Sequence, residues 1–121
     1  MSPEETQAFA THWVAAWNSH DLPAIMTHYD ESVELTSPFA ARLLGTDGKV
    51  ITKANLQEYF RRGLEAYPDL HFELNEVFSG LRSVVLCYTN QSGTRVAEFM
   101  ELLPNGKVTR VVANYGASTR P

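Results

Sequence analysis

A chain of 121 residues, 44% hydrophobic and 20% charged, is long enough to bury one core and too apolar to stay disordered. Its formal net charge of −4, with Arg61-Arg62 the only adjacent basic pair, argues against nucleic acid as a partner. No apolar run is long enough to span a bilayer, the start SPEETQ is acidic, and the cytoplasm is the expected location.

Ser2-Pro3-Glu4-Glu5 reads as a helix start: Ser2 caps, Pro3 fits the first helical position and Glu5 completes a capping box. Phe9, Trp13, Ala16 and Trp17 then recur at helical spacing, and the helix runs to about Asn18. The corner NSHDLP carries a polar run, an Asp able to cap and a Pro suited to a first turn. A second helix therefore starts near Asp21, with Leu22, Ile25, Met26 and Tyr29 on its inner face. Val33 to Thr36 reads as a short strand ended by Pro38. Between 38 and 52, Asp47-Gly48 marks a turn between two short apolar runs, which suggests a small hairpin. Thr52 caps a third helix that Pro68 stops, with Leu56, Tyr59, Phe60, Gly63, Leu64 and Tyr67 on one face. Gly63 costs helix stability relative to Ala, which suggests a close approach by a neighbour.

The remainder reads as β. His71–Phe78 alternates, with Phe72, Leu74, Glu76 and Phe78 on one side. Val84–Asn90, Arg95–Leu103 and Lys107–Tyr115 follow, joined by turns at Ser79-Gly80, Gln91-Ser92-Gly93 and Pro104-Asn105-Gly106. Consecutive strands with short loops imply an antiparallel meander, and helices first with strands later make the class α+β in a single domain, 1–121. The last strand is apolar on both alternate sets: Val108 and Val112 on one, Val111, Ala113 and Tyr115 on the other. That pattern predicts a homodimer through the sheet. The tail GASTRP is expected to be loose.

Glu98 alternates with Val96 and Met100, a carboxylate on an otherwise apolar stripe. It reads either as one half of a cross-strand ion pair or as a partly buried acid with a raised pKa. Trp17, Tyr29, Tyr59, Phe60 and Tyr115 accompany Trp13 around one interior. They read as core, or as the lining of a pocket for a flat, mostly apolar molecule with phenols as polar handles. His28 and His12 lie on helices, His20 in the corner and His71 at a strand start. No pair shows metal-ligand spacing backed by a carboxylate, so no metal site is expected. Neither a P-loop, a dinucleotide fingerprint nor a GxSxG motif is present, and no cofactor is implied. Cys87, the one cysteine, permits no internal disulfide and reads as a small buried hydrophobe.

Helix, NSHDL corner, helix, a strand ending before Pro, a helix ending in YPDLHFE and a final GKVTRVVANYG together resemble the nuclear transport factor 2-like superfamily. More narrowly, the chain resembles its SnoaL-like and ketosteroid-isomerase-like branch, from about Glu5 to Gly116. The resemblance implies a cone of three helices laid on a curved, mostly antiparallel sheet, with a pocket at the mouth and frequent homodimers. Such proteins include isomerases, polyketide cyclases, epoxide hydrolases and dehydratases, as well as non-catalytic binding modules, so the fold leaves the function open. In the ketosteroid isomerases a Tyr on the first helix donates to the substrate oxyanion, and Trp13 in HWVAAW stands there. Their base precedes the Pro that ends the first strand, and Ser37 stands there, a hydroxyl that is not a base near neutral pH. Their second oxyanion donor is a carboxylic acid on the penultimate strand. Glu98 aligns with it without gaps, Phe99 with one gap.

The resemblance therefore implies acid–base chemistry, without a cofactor, on a hydrophobic cyclic or polyketide-like substrate, though not ketosteroid isomerisation. The candidate catalytic residues are Glu98, Ser37 and His28. Trp13, Trp17, Tyr29, Tyr59, Phe60, Met100 and Tyr115 are candidate substrate contacts. The alternative is a ligand-binding or dimerisation module with the same cavity.

Overall fold

Ser2 opens the first helix as its residue type dictates. Its Oγ accepts from the Glu5 N–H at 3.1 Å, while the Glu5 carboxylate accepts from the Ser2 N–H at 2.8 Å. The computed structural model describes residues 2–117, so only the first two residues of the GASTRP tail lie within it. Helix α1 is Pro3–Asn18 and α2 is Leu22–Met26, capped by Asp21. Strand β1, Tyr29–Thr36, begins four residues earlier than the hydrophobic pattern suggested.

The segment after β1 departs from the expected hairpin. Pro38–Leu44 is a helix, α3, and only Lys49–Ile51 is a strand, β2. Ser37-Pro38 is itself a helix start: the Ser37 Oγ accepts from the Phe39 N–H, and Pro38 occupies the first turn. Ala, Arg and Leu then favour the helix, and Gly45 closes it in the left-handed conformation at φ 67°. The Asp47-Gly48 turn does exist, but it joins α3 to β2. Helix α4, Lys53–Ala66, is the helix read from Thr52 to Pro68, so the described residues hold four helices where three were expected.

The four remaining strands are β3 (Glu73–Ser79), β4 (Ser83–Thr89), β5 (Arg95–Leu102) and β6 (Val108–Tyr115). They form the expected antiparallel meander. Strand β1 joins β6 in parallel, giving an open, curved six-stranded sheet in the order β2-β1-β6-β5-β4-β3. The helices pack on its concave face, and the class is α+β.

Two irregularities change which side chains face inward. The β3–β4 register slips between Leu74 and Glu76, so Leu74 and Val77 pack on the core while Phe78 turns outward, 51% exposed. Phe72, Leu74, Glu76 and Phe78 therefore do not share one face. The β5–β6 register slips beside Leu102, so Val108 and Val111 are both fully buried. Val108 and Val112 are thus not partners on one face. Val112 instead continues an outward row, Phe78, Val85, Phe99, Val112, each opposite the next across neighbouring strands.

The end of α1 is fastened to the loop before β3. Asn18 Nδ2 donates to the Phe72 carbonyl at 2.9 Å, and its Oδ1 accepts from the Phe72 N–H at 2.7 Å. Both backbone groups of a buried residue depend on one side chain. Replacing Asn18 with Ala should lower stability by about 2 kcal/mol, since each stranded group carries its own desolvation cost. Urea midpoints of the two proteins measure this, and equal midpoints would dismiss the clamp.

Candidate functional site

The interior is built from the aromatic face of α1. Trp13 is 1% exposed and lies parallel to Phe72, ring centroids 5.8 Å apart. Its Nε1–H donates to Tyr29 Oη at 3.0 Å. Trp17, one turn further on, meets Phe60 edge to face at 4.7 Å. Tyr88 of β4 closes the group, 4.2 Å from Phe72 between centroids. Aromatic burial of this kind is the main cohesive term of the concave face.

These rings do not fill the space between α3, α4 and the sheet. A cavity of about 190 Å³ remains. Trp17, Tyr29, Ser37, Tyr59, Phe60, Glu98 and Tyr115 all line it. Seven of the ten residues singled out in the sequence thus meet at one place. Trp13 and Met100 do not border it: both are buried behind the lining, Met100 completely. His28 is not there either. It lies in the turn before β1, outside the cavity lining. It packs edge-on against Phe9 at 5.7 Å, and its Nδ1 lies 3.3 Å from the Ile25 carbonyl. Burial holds its pKa below the usual value, partly offset by that carbonyl. As a candidate for catalysis in this cavity it is withdrawn.

Glu98 points to the concave side, between Leu86 and Ala113 on the neighbouring strands. No Lys or Arg pairs with it among the described residues. Its carboxyl accepts from Tyr88 Oη at 2.5 Å. Desolvation pushes its pKa from 4.5 up to about 7, and the Tyr88 hydrogen bond opposes that rise. The effect is reciprocal. Tyr29, Tyr59, Tyr88 and Tyr115 all have raised pKa values, first from burial, with the Glu98 charge adding to each. Tyr115 is pushed up to about 12. The phenols therefore stay protonated through the range in which Glu98 titrates, and one of them, Tyr88, donates to the carboxyl.

Ser37 is buried at 3% exposure and borders the cavity. Its oxygen accepts from the Phe39 N–H at 3.1 Å and is near enough to Tyr59 and Tyr115 to ease their ionisation. It is a helix cap whose hydroxyl lies beside two phenols. Gly63 also lines the cavity. A Cβ there would sit 3.9 Å from Phe39, ordinary contact, so close packing does not demand the glycine.

Sequence reasoning missed Tyr88 and Arg42. Tyr88 lies in the apolar run VVLCY and reads as core. The turn at Gln91-Ser92-Gly93 holds the signal: it sets Thr89 opposite Arg95, hence Tyr88 opposite Val96 and diagonal to Glu98. Arg42 lies in the segment read as a hairpin; on α3 it reaches the cavity lining and stacks over Phe39 at 5.9 Å. No group of three or more His, Cys, Asp or Glu side chains among the described residues is arranged to hold a metal ion. No helix among them is long and apolar enough to cross a membrane.

The SnoaL-like domain model matches residues 10–113. A SnoaL-like protein of unknown function from Burkholderia thailandensis E264 superposes with a TM-score of 0.91. It is 32% identical, over 97% of this chain and 99% of that one. A protein from Shewanella denitrificans OS-217, provisionally named a SnoaL-like polyketide cyclase, gives 0.74 at 18% identity, over 95% and 92% of the two chains. TerC, co-crystallised with polyporic acid, gives 0.73 at 17% identity, over 88% and 87%. None of the curated proteins is similar enough in sequence to count as a relative. The match over residues 10–113 and the 32% identity across nearly the full length of both chains place this chain in the SnoaL-like family.

Proposed function

We propose that the protein is a small-molecule enzyme that moves a proton, without a cofactor, on a hydrophobic cyclic or polyketide-like substrate held in the aromatic cavity. The Glu98 carboxyl carries this reading. It borders the cavity, has no cationic partner among the described residues, and titrates at about 7. A group with that pKa is both a usable acid and a usable base at neutral pH. Ionised Glu98 would take a proton from carbon next to a substrate carbonyl and, once protonated, return it to another position. Tyr29 supports the partner role. Its Oη already accepts from Trp13, which leaves its own proton free to steady an enolate oxygen. A second reading, a binding module with no chemistry, is favoured by Ser37, whose hydroxyl stands where relatives that isomerise ketosteroids carry their base.

Exchange of the α-protons of 2-tetralone in D₂O, followed by NMR, separates the two. The wild type should exceed buffer, and Glu98→Gln should lose about 100-fold or more of the excess rate. Equal rates for wild type and Gln, or for wild type and buffer, would leave the binding module.

The same carboxyl sets a pH dependence. Its folded pKa of about 7 lies above the 4.5 of an exposed Glu, so the folded chain holds a proton that the unfolded chain has released. The stability from this group is present below 4.5 and is lost as pH rises through about 7. Glu98→Gln removes that loss. It should be more stable than wild type at pH 8, by up to about 3 kcal/mol, with the gap closing toward pH 5. A Gln variant weaker than wild type at pH 8 would mean that the carboxylate is stabilised by a charge partner.

We further propose a homodimer through the convex face of the sheet. The row Phe78, Val85, Phe99, Val112 crosses four strands there, flanked by the Arg110–Glu101 ion pair at 2.8 Å. Sedimentation equilibrium at micromolar concentration should give twice the 13.6 kDa chain mass, and Phe99→Glu should halve it. A wild-type species of single-chain mass would end the proposal.

A further inference from the structure

The two oxygens of the Glu98 carboxyl have different surroundings. Oε1 accepts from Tyr88 Oη at 2.5 Å. Oε2 makes no hydrogen bond among the described residues, yet it is not one of the sealed, unpaired atoms of the interior. Glu98 borders the cavity, so Oε2 is the oxygen with open space before it.

Tyr88 has nowhere else to send its proton. The residue is 2% exposed, and Glu98 Oε1 is the one acceptor its hydroxyl meets among the described residues. Its ring is fixed by Phe72 and Trp13, with centroids 4.2 and 5.6 Å away. Turning the hydroxyl aside would leave a buried O–H without an acceptor, which costs stability. A hydroxyl that donates to Oε1 also keeps a second proton off that oxygen. When Glu98 takes up a proton, the proton therefore rests on Oε2. Other groups face the carboxyl without bonding it. The charge of Glu98 reaches Tyr29 on β1, Tyr59 on α4 and Tyr115 on β6, and Arg42 of α3 lines the same cavity. Tyr88 alone holds the carboxyl by a hydrogen bond among the described residues.

We infer that Tyr88 is a positioning residue that confines the acid–base chemistry of Glu98 to Oε2. The proton-transfer step rests on the proposed enzyme reading; the protonation site itself does not. In that step the ionised Oε2 takes a proton from the carbon next to a substrate carbonyl, and the C–H electron pair moves into the enolate. The same Oε2–H then returns the proton to carbon, and the carboxylate is restored. Tyr88 keeps its own proton throughout. Its donation leaves one carboxylate oxygen as the base and favours the ionised form.

NMR of the protein carrying ¹³C at Glu Cδ and Tyr Cζ tests this, with Glu98→Gln and Tyr88→Phe identifying the two signals. In the wild type the Tyr88 Cζ signal should move with pH at the same midpoint as the Glu98 Cδ signal. In Tyr88→Phe, which keeps the ring, the Glu98 midpoint should rise. In Tyr67→Phe, which removes a cavity phenol that makes no bond to Glu98, it should stay in place. Proton exchange of 2-tetralone at pH 7 should lose about tenfold in kcat in Tyr88→Phe, with KM within about twofold, and its rise with pH should follow the raised midpoint. A Tyr88 signal that stays flat through the Glu98 titration would overturn the inference. So would an unchanged Glu98 midpoint in Tyr88→Phe, or a loss confined to KM. No exchange above buffer in the wild type would end the enzyme reading alone, because the two titrations still decide whether Tyr88 holds Glu98.

Discussion

Helix α1 can bury two indoles against the sheet because one of them has somewhere to put its hydrogen. Trp13 Nε1–H meets Tyr29 Oη at 3.0 Å, in the most deeply buried part of the interior. Without that acceptor the ring would carry an unpaired donor into the core, at about 1–3 kcal/mol. The bond also spans 16 residues and ties α1 to β1, across the corner where α2 turns the chain. Phe72 then stacks on Trp13, Tyr88 on Phe72, and the clamp from Asn18 to Phe72 holds the stack at its open end.

That stack decides where the empty space falls. Trp13, Phe72 and Tyr88 fill the side of the concave face under α1. The side under α3 and α4 is left with rings set at an angle, Trp17 edge to face on Phe60 and Tyr59 tilted against it, and a void that they line. Glu98 lies at the boundary. Its stripe neighbours Val96 and Met100 are sealed, while its own side chain reaches the void. The apolar walls raise its pKa, and the Tyr88 hydroxyl keeps the rise moderate. One carboxyl can then change charge near neutral pH inside a core that otherwise excludes charge.

The long, strongly periodic parts of the chain were legible from sequence because each rests on one local rule. Ser2, Asp21 and Thr52 cap helices where their residue types say they should. The strands of the meander fall between turn signals. The failures have non-local causes. Pro38–Leu44 is short, and its apolar residues match a strand as well as a helix; packing of Phe39 on Tyr59 and Tyr67 selects the helix. The slips in β3 and β6 are single-residue events set by pairing with neighbours, and each reverses the inside and outside of half a strand. Face assignments for Phe78 and Val108 failed for that reason, although the strands themselves were placed.

The site was legible to the same depth. Residue type and alternation singled out Glu98, because a lone acid on an apolar stripe is a local anomaly. They did not separate the two tryptophans, which have the same spacing, neighbours and burial. Only the position of one phenol does so: Tyr29 accepts from Trp13, whereas the buried Trp17 Nε1–H has no hydrogen-bond partner. A tyrosine on β1 thus determines which indole of α1 has its N–H paired. The same comparison applies to the arginines. Sequence spacing pairs Arg61 with Glu58 and Glu65 on one helix face, whereas Arg42 on its seven-residue helix forms no ion pair among the described residues. Spacing along the chain therefore predicts a contact when both partners lie on one helix, whereas a bond between elements, such as Trp13 to Tyr29, becomes visible only in the folded chain.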